Sequence, residues 1–239
     1  MRIALDHTSE IGVRAGRLLL GEPDLETLGI IRRDVKDRDR RLNRVDTVTD
    51  FDAVVTDDPD STVLAEAMEA GVPCVLWADT FDTAIESSGA TVLAGSNLVS
   101  GIGRSLAERE AVNDAQILFA WTEPGKPTRS GEPVSFPEPV GPRWGTRRGM
   151  TNRRLDVAAP VPDEWAGIVV RATTTTEVRT FGIADLATHL EAIALASGAV
   201  ITALGQVPTG LHTPDESADN YLQTALRIGL DIASFTSTG

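Results

Sequence analysis

Apolar positions in the first half of the chain recur in two alternating periods. Short apolar runs at 2–5, 26–31, 51–56, 72–77 and 91–93 read as strands. Between them, Ile11, Ala15, Leu18 and Leu19 share one helical face, and so do Val63, Leu64, Ala67 and Met68. Leu98, Ile102 and Leu106 mark a later helix, and a short one is expected at 82–87. Gly21-Glu22-Pro23 ends the first helix; Gly71 and Pro73 end the second, which Ser61 is placed to cap. Strands that alternate with helices predict an α/β fold with a doubly wound parallel sheet.

The pattern changes at Thr122. Residues 122–163 are rich in Pro, Gly and Arg, which opposes long helices and central strands, so an irregular connection with edge strands is expected. Trp165 to Thr175 and Glu177 to Gly182 read as a hairpin. Leu186, Leu190, Ile193, Ala194 and Ile201 form the face of a long helix from near Asp185, which Pro208-Thr209-Gly210 breaks. A last helix within 215–228 and a last strand at 230–235 follow. The expected organisation is a Rossmann-like domain at 1–121 and a smaller α+β portion at 122–239. Residues 115–121 would be a later strand of the first sheet, or its exit. The hairpin and long helix are the expected homodimer interface.

Composition narrows the function classes. The 239 residues are 41% hydrophobic and 24% charged, as in ordinary globular chains. Asp and Glu number 35 against 22 Lys and Arg, a net charge of −13. That balance speaks against partners that are themselves polyanions, nucleic acid and anionic membranes. A small anion in a local positive pocket remains compatible, because arginine clusters at 32–44 and 143–154. The single cysteine, Cys74, lies in an apolar run and reads as a core thiol. No stretch approaches the roughly 20 apolar residues of a membrane span. The N-terminus turns polar at Asp6, too early for a signal peptide, so a cytoplasmic protein is expected.

The first strand-to-helix turn reads Asp6-His7-Thr8-Ser9-Glu10-Ile11-Gly12. On the pattern Gly-x-x-Gly-x-x-Gly it keeps the third glycine, Gly12, while Asp6 and Ser9 replace the others. Two readings stay open. Thr8, Ser9 and Gly12 read as a degenerate dinucleotide loop, or Asp6, Thr8 or Ser9 as a helix cap. Arg32 and Arg33 follow the second strand, where arginine suits the 2′-phosphate of NADP and an acid would suit the ribose of NAD. Asp57, in Asp57-Asp58-Pro59-Asp60, ends the third expected strand and could hold a ribose hydroxyl or a cation. Ser96 and Asn97 lie in Gly95-Ser96-Asn97-Leu98-Val99-Ser100-Gly101, where small residues at a helix start can bring backbone N–H groups to a ligand. The histidines, His7, His189 and His212, have no metal-ligand spacing, so no metal site is expected.

The order of elements resembles the Rossmann reductases of amino-acid metabolism, notably dihydrodipicolinate reductase and saccharopine reductase-like proteins. The opening strand with Glu10-Ile11-Gly12, the 95–101 segment, and Gly210-Leu211-His212-Thr213-Pro214-Asp215-Glu216 with its following helix carry the likeness. The resemblance implies a protein that binds NADP or NAD and acts on a small amino-acid-derived substrate. Lys126, His7 and His212 are the proton-donor candidates. The paired histidines and lysine of dihydrodipicolinate reductase have no counterpart here. The alternative is a Rossmann-derived binding or assembly protein that has lost the dinucleotide.

Overall fold

The computed structural model describes residues 1–7, 9–35, 38–58, 61–79, 89–111, 115–122, 132–148, 161 and 163–238, with backbone alone for 132 and 143–148. Its first sheet is parallel. β1 (Arg2–Asp6) pairs with β2 (Thr27–Ile31) on one side and β4 (Ala53–Thr56) on the other. β3 (Leu42–Val45) continues beyond β2, and β5 (Cys74–Leu76), β6 (Val92–Leu93) and β12 (Leu211–His212) continue beyond β4. The order β12-β6-β5-β4-β1-β2-β3 is the doubly wound parallel sheet that the alternating periods predict.

Side-chain alternation along the strands builds two cores. Ile3, Leu5, Leu28, Ile30, Val55, Val75 and Leu93 lie in the larger cluster, with Ile11, Ala15 and Leu19 of α1 (Glu10–Leu19). Ala4, Ile31, Val54, Cys74, Leu76 and Val92 lie in the other, with Val63, Leu64 and Ala67 of α2 (Thr62–Glu69). The central strands are therefore apolar on both faces, as parallel strands covered on both sides must be. Ser61 caps α2 through a hydrogen bond from the Val63 N–H at 3.1 Å.

The second sheet is antiparallel, in the order β13-β11-β10-β7-β9-β8. β7 (Gln116–Trp121) pairs with β10 (Trp165–Thr173), so residues 115–121 belong to this sheet and not to the first. β8 (Glu132–Ser135) and β9 (Pro142–Arg148) supply the edge strands expected in the Pro-rich connection. β11 (Glu177–Leu186) runs four residues past the expected end, and β13 (Ala233–Thr238) starts later than the sequence suggests. β12 returns from the C-terminal half of the chain to pair with β6 in the first sheet.

The long helix α4 (Ala187–Ala203) packs against α1, the parallel sheet and the hairpin of β10 and β11. Nearly all its residues are buried, as befits a helix that is apolar all round. It lies at the centre of the core, with 15 of its residues buried. α3 (Arg104–Glu110) and α5 (Ala218–Ile228) complete the layer, and α5 rests on α4.

Candidate functional site

The chain leaves β1 toward β2 on one side and later enters β4 on the other. Open α/β sheets bind ligands outside the carboxyl ends of the strands at such a reversal. Here the loops after β1 and β4 are tied together. Ser9 is the N-cap of α1, its Oγ accepting the Ile11 N–H at 3.2 Å. Asp57 reaches across from the end of β4, and its Oδ2 accepts the Ser9 N–H at 3.0 Å and the Ser9 Oγ–H at 2.6 Å. Ser61, the cap of α2, donates in turn to Asp6. The cap reading of Ser9 is thus realised, and Asp57 adds an anion to it.

Gly12 is required by close approach. A Cβ there would stand 2.3 Å from the His7 Cβ and 2.9 Å from Asp57 Oδ2. The retained third glycine lets α1 pack against its own loop, as that position does in dinucleotide folds. His7 is half-buried. Burial, then the charge of Arg33, holds its imidazole below the usual pKa, against the opposing pull of Asp57 and Asp6.

The two arginines after β2 part company. Arg32 takes a positive φ of 54° and grips both carboxylate oxygens of Glu66 on α2, at 2.6 and 2.7 Å. Arg33 is exposed and forms no ion pair among the described residues. Of the two, Arg33 is the guanidinium available to a phosphate at the end of β2.

A second polar cluster lies at the carboxyl ends of β5 and β6. Asn97 caps a six-residue π-helix, Leu98–Gly103, accepting the Ser100 N–H at 2.8 Å. Its amide donates to the Trp77 carbonyl at 3.0 Å and to Asp79 at 3.3 Å, and Ser100 Oγ donates to Asp79 at 2.7 Å. π-Helical turns are rare and concentrate at functional sites. Ser96 Oγ donates to the Ala194 carbonyl of α4 at 2.9 Å, beside the Tyr221 hydroxyl at 3.2 Å. Ser96 is therefore a buried clasp between the loop and α4, not a side chain turned to a ligand.

Beneath this cluster sits Glu191, in the second turn of α4 and 3% exposed. Its Oε2 accepts the Leu98 N–H and the Trp77 indole N–H, each at 2.8 Å. Burial pushes its pKa up to about 7, against those two hydrogen bonds, and the neighbouring Asp79 charge adds to the rise. Sequence reasoning missed Glu191, Trp77 and Asp79. The available signal was one acid inside the apolar run Leu190-Glu191-Ala192-Ile193, since a lone carboxylate there must be partnered.

The remaining candidates are dispersed. Thr8 and Lys126 lie outside the described residues. His212 is on β12, its Nδ1 2.7 Å from Glu216 and its Nε2 3.3 Å from the Thr209 carbonyl, so both ring nitrogens are engaged within its own turn. β12 stands four strand positions from β1, which at about 4.8 Å per strand is roughly 19 Å. His7 and His212 therefore cannot serve one reacting atom. Cys74 is fully buried, and burial pushes its thiol up to about 12, which leaves it inert. No helix among the described residues is long and apolar enough to cross a membrane.

No family model matches the chain, and no curated protein matches it in sequence. Solved structures do match. The homospermidine synthase of Legionella pneumophila in complex with NAD aligns over 99% of this chain and 91% of its own, at 8% identity and a TM-score of 0.61. A mutant meso-dapdh with DAP, from Clostridium tetani E88, covers 92% of this chain and 95% of its own at 14% identity, TM-score 0.53. An engineered D-amino acid dehydrogenase covers 90% and 94% at 14% identity, TM-score 0.52. The chain has the fold of the Rossmann dehydrogenases. The likeness spans both sheets, because it extends over nearly the whole chain.

Proposed function

We propose that the protein is an NAD(P)-dependent oxidoreductase-like protein acting on a small amino-acid-derived substrate. One observation carries this reading: the N-terminus of α1, at the reversal of the sheet, already holds an anion. The Ser9 N–H and Oγ–H grip the Asp57 carboxylate. A helix N-terminus with such donors suits a phosphate, and the carboxylate stands in for one. On this reading the Ser9 N–H and Oγ–H would hold a pyrophosphate in place of Asp57, and Arg33 would hold a 2′-phosphate. The whole-chain likeness to an NAD-bound homospermidine synthase fold supports the placement.

When bound, the cofactor supplies the hydride chemistry. The chain's own groups supply orientation and proton handling. Asp79, at the end of β5, presents a carboxylate that suits the ammonium of an amino-acid-like substrate, and Asn97, whose amide is spent on Trp77 and Asp79, positions it. The fold neighbours whose names include amino acid dehydrogenation favour that class. Glu191, with its raised pKa, holds a proton behind Trp77 and Leu98 near neutral pH. His7 and Arg33 belong to the cofactor end.

A second reading has its own observation. Asp6 and Asp57 place two carboxylates at the loop where a pyrophosphate would lie, which favours a binding or assembly protein without a dinucleotide. Titration with NADPH and NADH, followed by cofactor fluorescence, separates the two. The oxidoreductase reading expects saturable binding of NADPH that weakens about tenfold in Arg33→Ala, a loss of about 1.4 kcal/mol, with NADH less affected. Absence of binding of both cofactors at millimolar concentration favours the second reading.

A further inference from the structure

The face of the parallel sheet that carries α1 and α4 is covered unevenly. α4 and α1 lie side by side over the middle strands. Beyond α1, the connection from β2 to β3 forms no helix among its described residues, so it places no described helix over β2 and β3 on that side. A cleft of about 390 Å³ results, within the volume range of small-molecule sites. Its floor is apolar, formed by Leu5, Leu28, Ile30 and Leu42, with Val13 of α1 on one wall.

The charged groups at the cleft have one sign left over. Arg17, from α1, and Arg33, from the loop after β2, line it, together with His7. Four other arginines of this region are paired: Arg14 with Glu10, Arg32 with Glu66, Arg41 with Asp39 and Arg44 with Asp34. Arg17 and Arg33 form no ion pair among the described residues. The acid of the lining, Asp34, is the one taken by Arg44 at 2.8 Å. In a chain of net charge −13, two guanidinium groups without an ion pair among the described residues, over an apolar floor, are selective for one kind of guest. An inorganic anion would leave the floor wet, and a neutral apolar molecule would leave both arginines unmatched.

We infer that this cleft binds a small organic anion with an apolar body, an aromatic or medium-chain carboxylate, its carboxylate between Arg17 and Arg33 and its body on Leu28, Ile30 and Leu42. The site flanks α1 and is separate from the phosphate position at its N-terminus. Arg33 borders both, so Arg17 is the discriminating residue.

The test is an NMR titration of the ¹⁵N-labelled full chain with 2-naphthoate, following the three imidazoles, with His7→Asn assigning the His7 signals. Saturable binding is expected, with the His7 pKa rising as the bound carboxylate offsets Arg33, and with His189 and His212 unmoved. Arg17→Ala is expected to weaken 2-naphthoate at least tenfold and to leave NADPH titration unchanged. 2-Naphthamide and inorganic phosphate are each expected to bind at least tenfold more weakly. Equal binding of the amide overturns the inference, as does binding that ignores Arg17→Ala, or absence of saturable binding. Competition by NADPH with no Arg17 dependence would assign the naphthoate to the switch point and equally overturn it.

Discussion

Asp57 and Ser9 are joined twice: one carboxylate oxygen of Asp57 accepts both the backbone N–H and the hydroxyl of Ser9. This ties the end of β4 to the start of α1 at the reversal of the sheet. The protein thereby fills its own anion position. Ser9 also caps the helix, so three functions converge on one hydroxyl-bearing residue. Ser9→Ala removes the cap and one Asp57 contact, and a stability loss of about 1–2 kcal/mol is expected in urea unfolding. Ser9→Gly should recover part of it, because glycine is tolerated at the N-cap.

Gly12→Ala tests the packing of α1 on its loop. The added methyl would meet the His7 Cβ at 2.3 Å, so backbone must move. A loss of about 1–3 kcal/mol is expected. The double variant His7→Gly/Gly12→Ala should be less destabilised than the sum of the single changes, since His7→Gly removes the atom that clashes.

Glu191 predicts a pH dependence of stability. Its pKa is raised in the folded chain to about 7 from the ordinary glutamate value of 4.5. The folded state therefore holds more protons than the unfolded state between those values. Its contribution is full below the unfolded pKa and is lost as pH rises through the folded one. Urea midpoints should fall from pH 5 to pH 8 in the wild type. Glu191→Gln, which can still accept from Trp77 and Leu98, should flatten that slope and raise stability at pH 8. An unchanged slope in the variant would remove Glu191 as its source.

The ion pair of Arg104 and Asp215 fastens the start of α3 to the turn before α5 at 2.9 Å, with both side chains 12% exposed. Asp215→Ala strands a largely buried guanidinium, and about 3 kcal/mol of stability should be lost. Asp215→Ala with Arg104→Met should recover most of it, which a thermal melt reads directly.

Much of the parallel sheet is legible in the sequence, because strand and helix periods differ and Ser61, Gly71 and Pro73 punctuate them. Residues 116–121 were ambiguous for a physical reason. Strand periodicity reports burial but not partners, and β7 is buried against β10 rather than the first sheet. β3 escaped notice because it is a short edge strand written in Leu42-Asn43-Arg44-Val45, with little apolar signal. The long helix was visible as one apolar face; that α4 is buried nearly all round was not, because its covering comes from both sheets and from α1. At the site, a cap by Asp6, Thr8 or Ser9 and the place of Asp57 at a strand end were legible, but the contact of Asp57 with Ser9 was not, since it depends on how β4 lies beside β1. The split of Arg32 from Arg33 did not, since it depends on a positive φ and on Glu66 across α2.

Calorimetric titration of NADPH into the wild type and Asp57→Asn tests the central claim most directly. If the Ser9 donors are a phosphate site occupied by Asp57, both proteins bind one NADPH per chain, and Asp57→Asn binds about tenfold more tightly, a gain of about 1.4 kcal/mol. Absence of NADPH binding in both proteins would contradict it.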